Sequence, residues 1–134
     1  MGLTTVDSSV LIPALTGWHA EHERANRAVE RVDGLRMIGH VLLETYTWLT
    51  RNRPRTSPSV AAELLRALPG PILALSPEGY ARLLGLVGSG GVMGAATYDA
   101  LIAATALEAD ARLLSRDERA AQTYRAIGVR FELV

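Results

Sequence analysis

The chain has 134 residues, 49% hydrophobic and 21% charged, the composition of one compact globular domain with a single core. Formal net charge is zero and all 14 basic residues are arginine, so there is no overall basic field, and Walker-A loops, lysine Schiff bases and Ser-Lys dyads are excluded. Cysteine is absent, which removes thiol catalysis, disulfides and cysteine-based zinc sites.

Leu3 to Val6 reads as a first strand, and Asp7 interrupts the apolar run "TTVDSSVLI". Either Asp7 closes the strand and caps a helix, or it occupies a site that needs negative charge; Ser8 or Ser9 can cap a helix beginning near Val10. His19 to Arg31 is amphipathic, with Ala25, Ala28, Val29 and Val32 on one face, and predicts a surface helix. Asp33-Gly34 marks a turn before a short second strand, Leu35 to Ile38, and His40 to Arg51 suits a helix. "RNRPRTSP" is a loop, because Pro54 and Pro58 exclude a regular helix through it. Ser57-Pro58 and Ser76-Pro77 are cap-then-proline starts for helices reaching about Leu68 and Val87, with a third strand, Ile72 to Leu75, between them.

"GSGG", Gly88 to Gly91, reads as a loop that does not fit a dinucleotide fingerprint. Thr97 is expected to cap a strongly apolar helix over Ala100 to Ala109. Arg112 to Leu114 is a fourth strand, Asp117 or Ser115 opens a helix to Ala126 that Gly128 ends, and Val129 to Val134 is a final strand. The alternation predicts a single α/β domain over residues 1–134, with a mostly parallel central sheet of four to five strands flanked by helices on both faces. No run approaches ~18 uninterrupted apolar residues and no signal-peptide pattern opens the chain, so a soluble, cytoplasmic protein without a membrane partner is expected.

Four acids stand among apolar neighbours: Asp7 after the first strand, Glu44 in "HVLLETYTWL", Asp99 in "TYDALIAATAL" and Asp117 in "RLLSRDERA". Singly, each has a structural explanation. Asp7 and Asp117 are placed to cap helices, Asp99 sits at a helix N-terminus, and Glu44 lies one turn from His40. Jointly they point elsewhere. In a parallel sheet the carboxyl ends of the strands line one crevice, and Asp7 and Asp117 close strands while Glu44 and Asp99 lie near helix starts facing the same edge. Four carboxylates meeting there repel, and a divalent cation relieves the conflict. Ligands of oxygen alone select a hard ion, Mg²⁺ or Mn²⁺, which polarises a phosphodiester and activates water for in-line attack.

The strand ending in Asp-Ser-Ser, then "LLE" in a helix, then "DALIAATAL" and "LLSRD", resembles in order and spacing the PIN-domain nucleases. The resemblance covers essentially the whole chain, and its size resembles the toxin ribonucleases of bacterial VapBC-type toxin–antitoxin pairs. It implies a PIN-like fold, a metal site at Asp7, Glu44, Asp99 and Asp117, and auxiliary hydroxyls at Ser9 and Ser115. It further implies an endoribonuclease using Mg²⁺, with Mn²⁺ as a substitute, that leaves 5′-phosphate and 3′-hydroxyl ends. A VapB-type antitoxin covering the crevice and a homodimer are implied as well. One local departure is that Glu118, Arg119 and Ala120 follow the last acid, where members often carry an aromatic residue.

Arg51, Arg53 and Arg55, the densest basic cluster, and Arg116 within the last motif are the candidate RNA phosphate contacts. His19 and His22 lack a third ligand and read as a polar helix face; Trp18 and Trp48 read as packing residues with base stacking as the alternative. Apolar positions over 60–68 and 80–87 exceed the needs of one small core and suggest a dimer seam. A phosphoryl-transfer domain with Asp7 as nucleophile would need an acid two residues on and a lysine, but Ser9 stands there and lysine is absent. The alternative that remains is a PIN-like module that binds RNA or a partner without cleaving.

Overall fold

The computed structural model describes residues 2–134. Three strands, β1 (Leu3–Val6), β2 (Ala111–Ser115) and β3 (Phe131–Leu133), form a parallel sheet in the order β1-β2-β3. Val6 lies opposite Leu114, and Leu114 opposite Glu132. Thr4, Thr5 and Val6 are buried in succession, as are Leu113, Leu114 and Ser115, so both faces of the sheet are covered.

The expected strands at 35–38 and 72–75 shrink to single parallel bridges, Thr4 with Leu35 and Ile38 with Leu73. The alignment is still that of a wider sheet: Arg36 N–H donates to Thr4 O at 2.9 Å and Leu73 N–H to Met37 O at 2.8 Å. The ladders stop there because a helix starts at Gly39, directly after Ile38, and Pro71 has no N–H to donate.

Seven helices surround this sheet: α1 (Ser8–Leu15), α2 (His22–Glu30), α3 (Gly39–Arg51), α4 (Pro58–Arg66), α5 (Pro77–Ser89), α6 (Ala96–Glu108) and α7 (Glu118–Ile127). Ser57 and Ser76 cap α4 and α5 as the sequence predicts, each accepting from a backbone N–H two residues past the proline. Gly128 ends α7 in the left-handed conformation, φ +90°, which a side chain would strain. Several boundaries differ from expectation: α2 starts at His22 and not His19, α4 ends at Arg66 and not near Leu68, and β3 is shorter than Val129 to Val134. Asp7 caps α1, as one of its two readings has it, so neither Ser8 nor Ser9 is the cap and the helix starts at Ser8 and not near Val10. Gly88 and Ser89 extend α5 and shorten the glycine loop. α6 starts at Ala96, so Thr97 lies inside its first turn instead of capping it, and Asp99 shares that turn.

The main core joins β1 and β2 to α1, α3, α6 and α7 through Val6, Val10, Val41, Ile102, Leu113 and Tyr124. Tyr124 is fully buried and meets Phe131 edge-on, with centroids 5.6 Å apart. A smaller cluster of Leu75, Leu83 and Ala100 joins α5 to α6. Among the described residues no helix is long and apolar enough to cross a membrane.

Candidate metal centre

The parallel register sets Asp7 beside the end of β2, because Asp7 N–H donates to Leu114 O at 3.1 Å. Its carboxylate is buried and accepts from four directions. Ser9 N–H (3.0 Å) and Ser9 Oγ (2.5 Å) donate to Oδ1, while Ser115 Oγ (2.5 Å) and Tyr124 Oη (2.7 Å) donate to Oδ2. The two serines are themselves fixed: Arg116 N–H donates to Ser9 Oγ at 2.7 Å and Asp117 N–H to Ser115 Oγ at 3.0 Å. Burying a carboxylate without partners is costly, and these donors offset that cost. Burial and the neighbouring charge of Asp7 push the Tyr124 hydroxyl far up, so it stays protonated and remains a donor.

Tyr124, which no motif in the sequence singles out, is a fully buried partner of Asp7 in the main core. Its signal is weak but present: it lies seven residues after Asp117, two turns along the same face of α7 as Ala120 and Ala121, both buried. The expected aromatic shortly after the last acid is absent, and an aromatic farther along the same helix reaches the first acid instead.

Glu44, Asp99 and Asp117 gather electrostatically around this anchor. Burial, then the charges of Asp99 and Asp7, raises the Glu44 carboxyl from an ordinary 4.5 to about 7. Burial, then Asp117 and Asp7, raises Asp99 from 3.8 to about 6, with Arg119 acting in the opposite sense. Asp117 caps α7 with Oδ1, accepting from Arg119 N–H at 2.9 Å and Ala120 N–H at 3.3 Å. The charges of Asp7 and Asp99 thus bear on Glu44, and those of Asp7 and Asp117 on Asp99.

The pairing of Glu44 with His40 is not an ion pair. The closest approach, Nε2 to Oε2, is 3.7 Å, too long for a hydrogen bond, and burial lowers the His40 pKa toward the neutral ring. His40 instead stacks on Tyr98 at 4.9 Å. Glu44 Oε1 is buried with no hydrogen-bond partner, an orphaned acceptor of the kind a cation satisfies.

The donor set thus fits a hard divalent ion in chemistry: oxygen atoms only, mutual repulsion, and one buried oxygen without a partner. Among the described residues, however, no three acidic or histidine side chains are drawn together tightly enough to form a cage. Asp7 fills its usual capacity of about four acceptor sites with protein donors, so it can bind an ion only by releasing a serine hydroxyl. Among the described residues, the carboxylate oxygens of the four acids that accept no hydrogen bond belong to Glu44 and Asp99, and to Oδ2 of Asp117.

The arginines divide. Arg51 lines a groove of about 500 Å³ together with Ser8, Glu44, Trp48 and Asn52, so it adjoins the acidic site. Arg53 and Arg55 are exposed in the loop beyond α3. Arg116 is held by Glu21 at 3.5 Å. Trp18 and Trp48 stack on each other at 5.8 Å, and Trp48 also lines the groove. His19 and His22 are engaged locally, His19 Nδ1 accepting from Glu21 N–H at 3.0 Å and His22 Nδ1 lying 2.8 Å from Pro13 O.

The sequence profile of the PIN domain family matches residues 4–126. Ribonuclease VapC40 of Mycobacterium tuberculosis is 43% identical over 131 residues, covering 96% of each chain. Ribonuclease VapC27 of the same organism is 38% identical over 126 residues, or 92% of this chain and 91% of that one. FitAcB from Neisseria gonorrhoeae superposes with a TM-score of 0.72 over 96% of each chain, and FitAB bound to an IR36 DNA fragment with 0.73 over 98% and 94%. At 19% and 16% identity these two likenesses speak to the fold alone.

Proposed function

Because the chain belongs to the PIN-domain family and aligns nearly end to end with VapC ribonucleases, we propose that it is a metal-dependent endoribonuclease, the toxin of a toxin–antitoxin pair. The observation that carries this reading is the buried, unpartnered Glu44 oxygen, with Glu44 and Asp99 both held protonated above their ordinary range by burial and by the neighbouring acids. Glu44, Asp99 and Asp117, with Asp7, would hold Mg²⁺ or Mn²⁺. When bound, such an ion supplies Lewis acidity and makes water nucleophilic at neutral pH.

The remaining roles belong to the chain itself. Ser9, Ser115 and Tyr124 are positioning residues that fix the Asp7 carboxylate in one orientation. Arg51 supplies a guanidinium fork for a phosphate in the groove beside Glu44, and the exposed Arg53 and Arg55 extend that basic flank. Arg116 shapes the rim through Glu21 and is the weaker candidate for an RNA contact. A VapB-type antitoxin would silence the site by covering it. A homodimer would bury exposed apolar side chains such as Leu64, Tyr80, Leu84 and Leu86, which lie in the two segments the sequence suggests for a seam.

Cleavage of RNA by the purified protein is expected with Mg²⁺ or Mn²⁺ and not with EDTA, and Asp99→Asn is expected to abolish it without loss of fold. Asp99 is the better probe because its side chain makes no hydrogen bond among the described residues. Metal-independent cutting, or full activity of Asp99→Asn, would refute the proposal. A second reading, a module that binds RNA without cutting it, draws on the filled acceptor capacity of Asp7. It predicts RNA binding without cleavage, with or without metal, and the same binding in Asp99→Asn.

A further inference from the structure

A second groove, about 600 Å³ in volume, runs between α2 and the β2–β3 edge, outside the carboxylate site. Its lining includes Arg24, Arg27, Arg31 and Arg112. Steps of three and four residues put the first three on one stripe of α2. The acids of that helix lie on the neighbouring stripe, where Asn26 donates to Glu30 at 3.1 Å. Arg112 reaches in from β2 and is matched by Glu132 at 3.0 Å. Among the described residues, no carboxylate pairs with Arg24, Arg27 or Arg31.

The helix dipole favours Arg27 and Arg31 at the C-terminal end of α2 but not Arg24 in its first turn. Like charges at such spacings cost a few tenths of a kcal/mol per pair, so the stability of α2 does not account for the whole stripe. Its position suggests what it faces. Arg24 lies one turn beyond Glu21, whose carboxylate holds Arg116, and Arg116 directly precedes Asp117. The stripe therefore leads away from the rim of the acidic site. From Arg24 to Arg31 it extends about 10 Å at 1.5 Å per residue, long enough to face consecutive phosphates of one strand.

We propose that this groove binds the phosphodiester backbone of single-stranded RNA beyond the scissile bond, an exosite that holds substrate without reading its bases. The inference rests on the ribonuclease reading given above. Arginine forks match phosphate oxygens bidentately, whereas no aromatic side chain lines the groove to stack on bases. The contacts there are positional and independent of sequence.

The test is fluorescence anisotropy of a labelled single-stranded RNA of about a dozen nucleotides, in EDTA, across a salt series. The variant Arg24→Ser/Arg27→Ser/Arg31→Ser is expected to bind at least about tenfold more weakly. Its salt slope should be shallower by about 2, at about 0.7 per single-strand phosphate contact. A control with the same charge change, Arg66→Ser/Arg82→Ser/Arg125→Ser, should keep wild-type affinity, and melting curves should show both proteins folded. Equal losses in the two variants, or none in the groove variant, overturn the exosite. Loss of binding to a poly-glutamate peptide with RNA binding intact overturns it in favour of an acidic protein partner. Normal cleavage with an unchanged KM for long RNA in the groove variant ends this inference and leaves the catalytic reading intact. A wild type that never cuts RNA, together with a groove variant that loses RNA binding, ends the catalytic reading and leaves the groove as an RNA-binding site without a scissile bond.

Discussion

Asp7→Ala is expected to lose about 3 kcal/mol of stability in addition to any RNA cleavage, a fall in Tm of roughly 10 °C for a chain of this length. The substitution removes the N-cap of α1, worth roughly 0.5–2 kcal/mol. It also strands the Ser115 and Tyr124 hydroxyls, at roughly 1–3 kcal/mol for each buried donor left unpaired. Relief of the repulsion that Asp7 exerts on Glu44 and Asp99 offsets part of that cost. Asp7→Asn should cost only about 1 kcal/mol, because the amide still caps the helix and its NH₂ can donate to a hydroxyl that turns to accept. Tyr124→Phe removes one donor and should also cost about 1 kcal/mol, with residual cleavage retained. Thermal melts of the three proteins in EDTA check this ranking. An Asp7→Ala protein as stable as wild type would show that Asp7 does not anchor the fold.

The opening alternative, cap or charged site, therefore has a double answer. Asp7 is the cap of α1 and also the buried centre to which Ser9, Ser115 and Tyr124 converge. The sequence exposed the first half because an acid between a strand and a helix is a local pattern. It suggested Asp117 as a neighbour because carboxyl ends of parallel strands share an edge, and Glu44 and Asp99 because the expected starts of their helices face that edge, a rule that needs only element order. Tyr124 escaped because its contact spans 117 positions along the chain and follows from how α7 crosses the sheet end. The two short strands were legible as apolar runs, but pairing is a tertiary property, and neither 35–38 nor 72–75 forms more than a bridge. The α2 arginines read as an ordinary solvated face until β2 and β3 supplied the opposite wall.

In the metal-free protein, the two raised carboxyls are expected to make stability fall as pH rises from about 4 to 7. Glu44 stands at about 7 and Asp99 at about 6, each above its ordinary value. A carboxyl of this kind holds its proton more tightly folded than unfolded. Its contribution is complete below the unfolded pKa and is lost as pH climbs through the folded one. Full burial would make each shift worth about 3 kcal/mol; both groups are half-exposed, and solvent screening leaves roughly 1–2 kcal/mol together. His40 works the other way: burial lowers its pKa, so its contribution is present above about 6.5 and is lost as pH falls through the lowered value. Comparing wild type with Glu44→Gln/Asp99→Asn, which keeps His40, isolates the carboxyls. The double variant should match wild type near pH 4 and exceed it by about 1–2 kcal/mol at pH 8. Mg²⁺ at pH 8 should then raise the Tm of wild type alone, by an amount equivalent to about 2.7 kcal/mol at a hundredfold excess over its Kd. A wild type that gains on the variant as pH rises would mean that neither burial nor the neighbouring acids hold these two carboxyls above their ordinary values, and the electrostatic conflict that an ion would relieve would be absent.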